Sequence, residues 1–380
     1  MREEILKRYP KDRYICFGTF PSNHGNGVGR IPESIQNVPC LIGPLVPRLR
    51  MRGSRFYIPL LRFIGFRLVA PWRIRQIVEF GKRHKVDLVW AELYGDAVLL
   101  AQKVAKGIGV PFVATVWDDP EGWFQEFRYD LFSRRLLKRR FRAALCKAHS
   151  ISTAGEAMQR TYEREYGVRS VILRYGFRRQ VLFHEKKKED GQISIGFVGS
   201  PYGRDAWESF LSAVAHLNNS RRFPIIRIQV FGGEKFPYSH NGVEIEDRGW
   251  QPEELMLQEI AETDFCYLPY WFDPRKRRHV ELSFPNKFET YLAAGRPVFF
   301  HGPAYAGVAE TIKQHSVGLC VHSLCPEEIG STLEKMIVDS SLRESFNRAA
   351  LSAFHSEFNE KVMMKNFAEL IGVEPELFLG

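Results

Sequence analysis

A lysine close to the start of a predicted helix has the position expected of a phosphate ligand. Lys287 lies within the stretch ELSFPNKFETYLAAGRPV, residues 281–298. We predict that Ser283 caps this helix and that Pro285 lies near its first turn, where a missing N–H does no harm. A helix start keeps free N–H groups and a partial positive charge, and Lys287 would add a full charge toward the same anion.

Two carboxylates lie on either side of this lysine. Glu281 precedes the predicted helix, which runs from about Asn286 to Ala294 and ends at Gly295. Glu289 lies inside the helix, so the two carboxylates need not share a helical face. They could contact one ligand from two sides, Glu281 near its reactive end and Glu289 deeper in. The alternative is an ordinary amphipathic helix with solvated charges.

The stretch resembles the donor-site signature of GT-B glycosyltransferases, especially the retaining group called family four. There, a Glu, seven residues and a second Glu lead into EYLAAGxPVV, and here the sequence reads Glu281-LSFPNKF-Glu289-TYLAAGRPVFF. The resemblance implies that Glu289 hydrogen-bonds the ribose of a nucleotide-sugar donor and that Glu281 lies beside the sugar and diphosphate. It assigns the intervening loop to donor binding, namely Ser283, Phe284, Pro285 and Asn286.

Two further segments resemble the donor side of this family. The loop Gly199–Gly203 follows a predicted strand, 193–198, and family members place a glycine and basic residues here against the diphosphate. Gly199 and Arg204 match in type, and Ser200 belongs to the same loop. Trp250 begins a segment resembling G-x-x-x-x-E-E-L, which borders the nucleotide base in the family. Trp250 would therefore stack on the base, or else belong to the core.

Three carboxylates in the first half follow predicted strands. Asp118 and Asp119 come directly after the strand 111–116, and Glu92 follows an earlier strand. Ligands of open parallel sheets bind outside the carboxyl ends of the strands, so these residues are acceptor-side candidates. The family often has His-Asp here, and Trp117 in place of the His puts a His-based role in doubt. The Asp pair could instead chelate a metal or cap a helix, and we predict a site without a metal.

A glycine-rich loop, GTFPSNHGNGVGR, follows the first predicted strand. Gly25 and Gly27 would let the backbone approach a ligand closely. The loop fits the dinucleotide fingerprint poorly, which argues against an NAD site. Similar loops in GT-B enzymes lie beneath the donor phosphates or the acceptor, so the resemblance assigns Gly25 and Gly27 to the acceptor side.

The elements that must position these residues alternate between strands and helices in both halves of the chain. With the resemblance, this predicts an α/β protein of the GT-B fold, in which two Rossmann-like domains with parallel sheets face an interdomain cleft. Residues 1–182 would form the acceptor domain and 190–357 the donor domain, separated by the charged run FHEKKKEDG. The C-terminal helix, about 358–380, would pack back on the first domain.

Composition and charge restrict the compartment and the partners. The chain has 380 residues, 44% of them hydrophobic, and carries a net charge of +10 that is concentrated before residue 180. Six scattered cysteines without a Cys-x-x-Cys pair indicate reduced thiols. The charged N terminus has no signal-sequence pattern, and no apolar run is long enough to span a bilayer. These features predict a cytoplasmic protein, either free or peripheral on the inner face of the membrane.

Two basic segments raise the question of an anionic partner. Residues 55–75 mix arginines with aromatic and aliphatic residues, and residues 134–147, RRLLKRRFRAALCK, have a similar character. Such segments are typical of interfacial membrane helices. Equally, their apolar side chains could be core and their arginines solvated. We predict no nucleic-acid partner, because no nucleic-acid-binding motif accompanies the charge.

Together these features predict a metal-independent glycosyltransferase of the hexosyltransferase type. It would move a sugar from a nucleotide-diphosphate sugar to a glycan, lipid-linked or small-molecule acceptor with retention, in polysaccharide or glycoconjugate synthesis, and would need no cofactor besides the donor. Two alternatives remain: a nucleotide-sugar epimerase on the same fold, and a non-catalytic GT-B binding protein. The segment 171–177 resembles the family's VIPNGVD, with Arg174 and Tyr175 in place of Pro and Asn; this divergence and Trp117 favour the second alternative slightly.

Overall fold

The chain forms two compact units. One comprises Met1–Arg174 together with Met364–Gly380, and the other comprises Tyr175–Met363. The predicted loop with Gly25 and Gly27 lies outside the described residues, as does the charged run at 183–191. The computed structural model describes residues 5–6, 9–18, 38–42, 54–95, 97–178, 192–233 and 235–379.

The first unit contains two parallel sheets. One is a pair of short strands, and the other has four strands in the order β3-β4-β5-β6. All five residues of β4 are buried, as expected of a parallel strand that is covered on both faces. The strands are Cys16–Gly18 (β1), Cys40–Ile42 (β2), Val89–Glu92 (β3), Phe112–Val116 (β4), Ser150–Thr153 (β5) and Val171–Ile172 (β6).

Helices alternate with these strands. A π-helical turn, Gly65–Val69, joins the first two of them. None of the described helices combines the length and hydropathy needed to cross a bilayer. The helices are Ser54–Ile64 (α1), Ala70–Arg83 (α2), Ala97–Ile108 (α3), Pro120–Glu126 (α4), Leu131–Leu145 (α5) and Glu156–Tyr166 (α6).

The second unit is built on a six-stranded parallel sheet. Its strand order is β12-β11-β10-β7-β8-β9, so the chain proceeds from β7 outward on one side and continues from β10 outward on the other. Every pair of neighbours is parallel. The strands are Gln192–Val198 (β7), Ile225–Phe231 (β8), Glu244–Asp247 (β9), Phe265–Pro269 (β10), Val298–His301 (β11) and Gly318–Val321 (β12).

Helices cover both faces of this sheet. Alternate residues of β10 point to opposite faces of the sheet, and each face has its own buried apolar cluster. Cys266 and Leu268 belong to one cluster, and Phe265 and Tyr267 belong to the other. Helices in the unit are Arg204–Ser220 (α7), Glu253–Ala261 (α8), Arg277–Leu282 (α9), Asn286–Ala293 (α10), Gly307–His315 (α11), Pro326–Val338 (α12) and Ser340–Ala353 (α13).

The α/β class with parallel sheets is confirmed, although some element boundaries differ from the prediction. The apolar run at 86–90 predicts a strand from Val86, but the strand begins at Val89, because Lys85 has a φ of 52° and the N–H of Val86 closes the end of α2 on Gly81 O. The charged run WFDPRKRRHV predicts a loop at 271–280, but it contains a 3₁₀ turn, Pro274–Lys276, and the start of α9.

The last helices contact the first unit's sheet. They are Glu360–Ile371 (α14) and Glu376–Leu379 (α15). The Phe367 ring lies 4.8 Å from that of Trp90, and the Asn366 side chain donates to Ile172 O at 3.0 Å. The tail therefore contacts both outer strands of this sheet, β3 and β6.

Candidate active site

The strand order of the second unit indicates where a ligand would bind. The chain leaves β7 toward β8 on one side, while the neighbour on the other side is β10. Ligands of open parallel sheets bind outside the carboxyl ends of the strands where the order reverses in this way. The segments at this point are Gly199–Gly203, after β7, and Tyr270 with Trp271, after β10.

Two glycines shape the loop between β7 and α7. Gly199 has a φ of +84° and donates its N–H to Phe231 O at 2.6 Å. Gly203 has a φ of +69° at the N-cap of α7, and a Cβ there would lie 3.0 Å from Tyr270 O. Both positions favour glycine, so the loop keeps its backbone close to the carboxyl edge of the sheet.

Helix α10 begins without a side-chain cap. The N-cap position is occupied by Pro285, not by Ser283 as predicted. Ser283 instead ends α9, donating its N–H to His279 O at 2.8 Å, and its hydroxyl lies 3.3 Å from that of Tyr270. Ser283 and Pro285 are both extended, and a proline also disfavours a helical conformation of the residue before it, so the helix begins only at Asn286.

Lys287, in the first turn of α10, points at the loop after β7. Its ammonium donates to Ser200 O at 3.1 Å and lies 3.9 Å from the centre of the Tyr202 ring. A second ring, that of Phe197, is 5.1 Å away. Burial lowers the pKa of Lys287 to about 7. An anion at this point would restore the full charge, so the lysine is placed to bind one.

Aromatic rings connect Lys287 to the loop after β10. Tyr202 stacks on Trp271, with 4.3 Å between ring centres and 24° between planes. On Trp271 lies the ammonium of Lys276, 4.7 Å from the ring centre. Tyr202 and Trp271 are not among the predicted site residues, although one is an aromatic residue inside the GSPYG loop and the other begins the basic run WFDPRKRRHV.

The two carboxylates of the predicted signature lie in different helices. Glu281 is half-buried in α9, and Glu289 is 1% exposed in α10. Phe284 packs against the core, with its ring 5.6 Å from that of Phe288, whereas Asn286 is exposed at the helix start. The structure thus brings Ser200 and Lys287 into contact, while Glu289 lies beneath the surface of the same helix.

Arg204 is not directed at this cluster. Its side chain is 80% exposed and forms an ion pair with Glu208, one turn along α7, at 2.7 Å. Arg204 is the first residue of α7, one residue before the predicted start of the helix at about Asp205, and its guanidinium contacts its own helix. A contact with the predicted diphosphate would require a different rotamer.

Trp250 borders an open pocket at the same edge of the sheet. Its side chain is 76% exposed, which excludes the core interpretation. The carboxylate of Asp247 stabilises the loops around the pocket. Its two oxygens accept hydrogen bonds from the backbone N–H groups of Phe236 and Gly249, at 3.1 Å each. The pocket has a volume of about 390 Å³ and is lined by Gly232, Gly233, Lys235, Asp247, Arg248, Gly249 and Trp250.

The acceptor-side candidates of the first unit lie at one edge of its sheet. Glu92 ends β3, in register with Thr115 of β4, and Asp118 follows β4. Asp119 is 2% exposed; it caps α4 by accepting from Glu121 N at 3.1 Å and also accepts from Tyr162 Oη at 3.1 Å. Of the two alternatives left open for it, helix capping is the one observed.

Solved structures with a similar fold belong to glycosyltransferases. Sucrose-phosphate synthase from Thermosynechococcus elongatus matches with a TM-score of 0.61 at 13% identity, over 93% of this chain and 87% of that one. HepE from Anabaena, solved in complex with UDP, matches at 0.64 and 13%, over 94% and 99%. WaaG, a glycosyltransferase involved in lipopolysaccharide biosynthesis, matches at 0.58 and 15%, over 94% and 100%. The chain has the GT-B fold.

The GT-B fold of this chain is recognised from its structure alone. No family model matches the sequence, and no curated protein sequence matches it. Two parallel sheets with helices between their strands, one in each unit, are the elements that the fold requires. In the second unit the Gly199–Gly203 loop, the start of α10 and the Trp250 pocket all lie at the carboxyl edge of one sheet.

Proposed function

We propose that the protein is a glycosyltransferase of the family-four type that binds a nucleotide-diphosphate sugar in the unit Tyr175–Met363. The proposal rests on the position of Lys287. This lysine lies at an uncapped helix start and contacts the loop after β7, at the point where the strand order reverses. Similar structures of HepE from Anabaena hold UDP, or UDP-glucose, at 12–13% identity. They support a nucleotide-sugar donor.

The proposed donor extends along the carboxyl edge of the six-stranded sheet. Its diphosphate lies against the N–H groups at the start of α10 and the ammonium of Lys287, with Arg204 turning from Glu208 to meet it. Its base lies in the Trp250 pocket, where the exposed indole offers a stacking surface. Glu289 is assigned to the ribose and Glu281 to the sugar.

Catalysis in this proposal is mainly electrostatic. The bond between the anomeric carbon and the phosphate oxygen breaks, so negative charge develops on the leaving diphosphate. The ammonium of Lys287 and the helix N–H groups stabilise that charge, in place of a metal ion. The anomeric carbon forms its new bond to a hydroxyl of a glycan, lipid-linked or small-molecule acceptor, with retention, and the proton of that hydroxyl passes to an oxygen of the leaving diphosphate.

The first test is binding followed by turnover. Calorimetry with UDP, GDP, ADP and CMP sugars should identify one base that binds. Lys287→Ala should then weaken binding and lower kcat/KM by about a hundredfold, as expected for loss of a group that stabilises the leaving charge. Lys313→Ala removes an exposed lysine from the same unit and should leave both unchanged. Unchanged turnover in Lys287→Ala would refute the proposal.

The same experiment separates the two alternative functions. Conversion of the donor sugar without any acceptor would indicate an epimerase. Binding of the nucleotide without transfer to any acceptor in a glycan and lipid panel would indicate a binding protein. Fold alone does not decide among these, because one fold hosts many activities.

A further inference from the structure

Apolar side chains form an exposed strip along α1, the π turn and α2 of the first unit. The strip consists of Leu60, Phe63, Ile64, Leu68 and Trp72, all of them exposed. Leu68 is 66% exposed. The structure thus excludes the alternative that these side chains form the core of the unit. Solitary exposed apolar residues are ordinary, but a contiguous row of this size indicates a binding surface.

A π-helical turn keeps the strip on one face. Leu60, Ile64, Leu68 and Trp72 are four residues apart, and three such steps exceed three α-helical turns by about 1.2 residues. In the π turn Gly65–Val69 the N–H of Ala70 donates to Gly65 O, five residues back, so the turn accommodates about one extra residue. The strip therefore runs nearly parallel to the helix axis.

The N-terminal end of helix α5 extends the strip. Leu131 is 73% exposed, and the Phe132 ring lies 6.1 Å from that of Phe63. Arg62 fixes this arrangement, because its guanidinium donates to the carbonyls of Phe127 and Arg128 at 2.9 and 3.1 Å. The apolar strip and the start of α5 thus form one surface that the fold holds in place.

Basic side chains accompany this surface almost without acidic ones. Residues 54–83 contain seven basic residues and one acidic residue, and α5 contains six basic residues and no acidic one. The basic residues exposed along it are Arg67, Arg75, Arg135, Lys138, Arg139 and Arg142. Lys138 forms an ion pair with Glu121. Large apolar side chains together with a dense positive charge match the surface of an anionic bilayer.

We propose that this surface, formed by the apolar strip with Leu131 and Phe132, inserts among the headgroups of an anionic bilayer. Phe63, Leu68, Trp72 and Phe132 enter the boundary between headgroups and acyl chains, while the arginines contact lipid phosphates. The helices lie on the membrane and do not cross it. This proposal is independent of the proposed glycosyl transfer, because vesicle binding requires no turnover.

Flotation with lipid vesicles tests the proposal directly. The full-length protein should float with phosphatidylcholine vesicles that contain phosphatidylglycerol and remain in solution with phosphatidylcholine alone. Phe63→Ser combined with Phe132→Ser should reduce the bound fraction by about tenfold, given the apolar area lost. Arg135→Glu with Arg139→Glu should reduce it by at least about tenfold, since each basic residue near such a surface contributes about fivefold. Val338→Ser, at an exposed apolar residue of the second unit, and Lys313→Glu should leave binding unchanged.

A depth measurement separates insertion from adsorption. Brominated acyl chains should quench part of the tryptophan fluorescence, and Trp72→Phe should remove that part. Circular dichroism and melting curves should show that all variants are folded, because every substituted side chain is exposed. Equal binding to neutral and anionic vesicles, unchanged binding by both double variants, or loss of a dimer in solution in the Phe63/Phe132 variant would each overturn the proposal.

Discussion

The surroundings of Lys287 affect the pKa of its ammonium in opposite directions. Burial of its ammonium lowers the pKa to about 7, whereas the Ser200 carbonyl and the Tyr202 ring favour the charged form. Near neutral pH the lysine is therefore close to half protonated without a ligand. A bound diphosphate would raise its pKa, so binding would take up a proton.

This linkage predicts a pH dependence of nucleotide affinity. The bound state holds the proton more tightly than the free state, so affinity is constant below the free pKa of about 7 and falls as the pH rises through it. The fall should approach tenfold per pH unit at most, measured by calorimetry with the base that binds best. In Lys287→Met the slope above neutral pH should disappear. A flat profile in the unsubstituted protein would contradict the assignment of this pKa to the binding site.

Tyr202 should act as a positioning residue for Lys287. Tyr202→Phe keeps the ring under the ammonium and its stack on Trp271, so nucleotide affinity should stay within about twofold. Tyr202→Leu removes both contacts and should weaken binding by about five- to tenfold, the range of a partly desolvated cation–π contact. Equal affinities in the two variants, both folded by circular dichroism, would show that the ring does not matter.

At the scale of elements, two glycines of the second unit differ in the space that surrounds them: one has no room for a Cβ atom and the other has ample room. Gly318 pairs with Val298 across β12 and β11, and a Cβ at this position would lie 1.8 Å from Val298 O. Gly330 lies inside α12, and a Cβ there would meet nothing within 4 Å. The first glycine permits a close backbone approach, whereas the second only weakens its helix.

Alanine substitutions at these glycines should change stability with opposite signs. Gly318→Ala should lower the free energy of unfolding by several kcal/mol, because a backbone carbonyl must move out of the sheet. Gly330→Ala should raise it by about 0.5–1 kcal/mol through helix propensity and a less flexible unfolded chain. Urea unfolding followed by circular dichroism measures both. A destabilised Gly330→Ala protein would mean that the space beside α12 is filled.

At the scale of the whole molecule, the C-terminal tail and the candidate donor site belong to different units. The tail residues Met364–Gly380 group with the first unit, where Phe367 is buried against Trp90. Every candidate donor residue lies within Tyr175–Met363. A defect in the tail should therefore affect the first unit without altering the nucleotide contacts.

Phe367→Ala tests this separation. It should destabilise the protein by about 3–5 kcal/mol, the usual cost of deleting a buried phenylalanine. Nucleotide affinity of the protein that remains folded should change by less than about twofold. Lys365→Ala, at an exposed position of the same helix, should alter neither quantity. A large loss of affinity in Phe367→Ala would show that the tail supports the donor site.

The sequence sufficed for the parts of the fold that depend on local periodicity. Apolar spacing and end signals predict helices over 156–166 and 360–371 and a strand over 225–231, and the structure has the same bounds, Glu156–Tyr166, Glu360–Ile371 and Ile225–Phe231. Ser283 was predicted wrongly as a cap because it fits the end of one helix as well as the start of the next. Pro285 decided between them through the backbone of Phe284.

The sequence alone was enough to predict that Lys287 would lie in the first turn of a helix, that strands and helices would alternate, and that positive charge would concentrate in the first half of the chain. The packing of the folded chain was needed to show that Tyr202 lies under Lys287 and stacks on Trp271, and that Arg204 pairs with Glu208. It was also needed to show that Leu60, Phe63, Ile64, Leu68 and Trp72 are exposed. The reason is physical. Periodicity and end signals are local properties of a chain, whereas the contacts around a lysine and the burial of a helix face depend on which distant segments pack there.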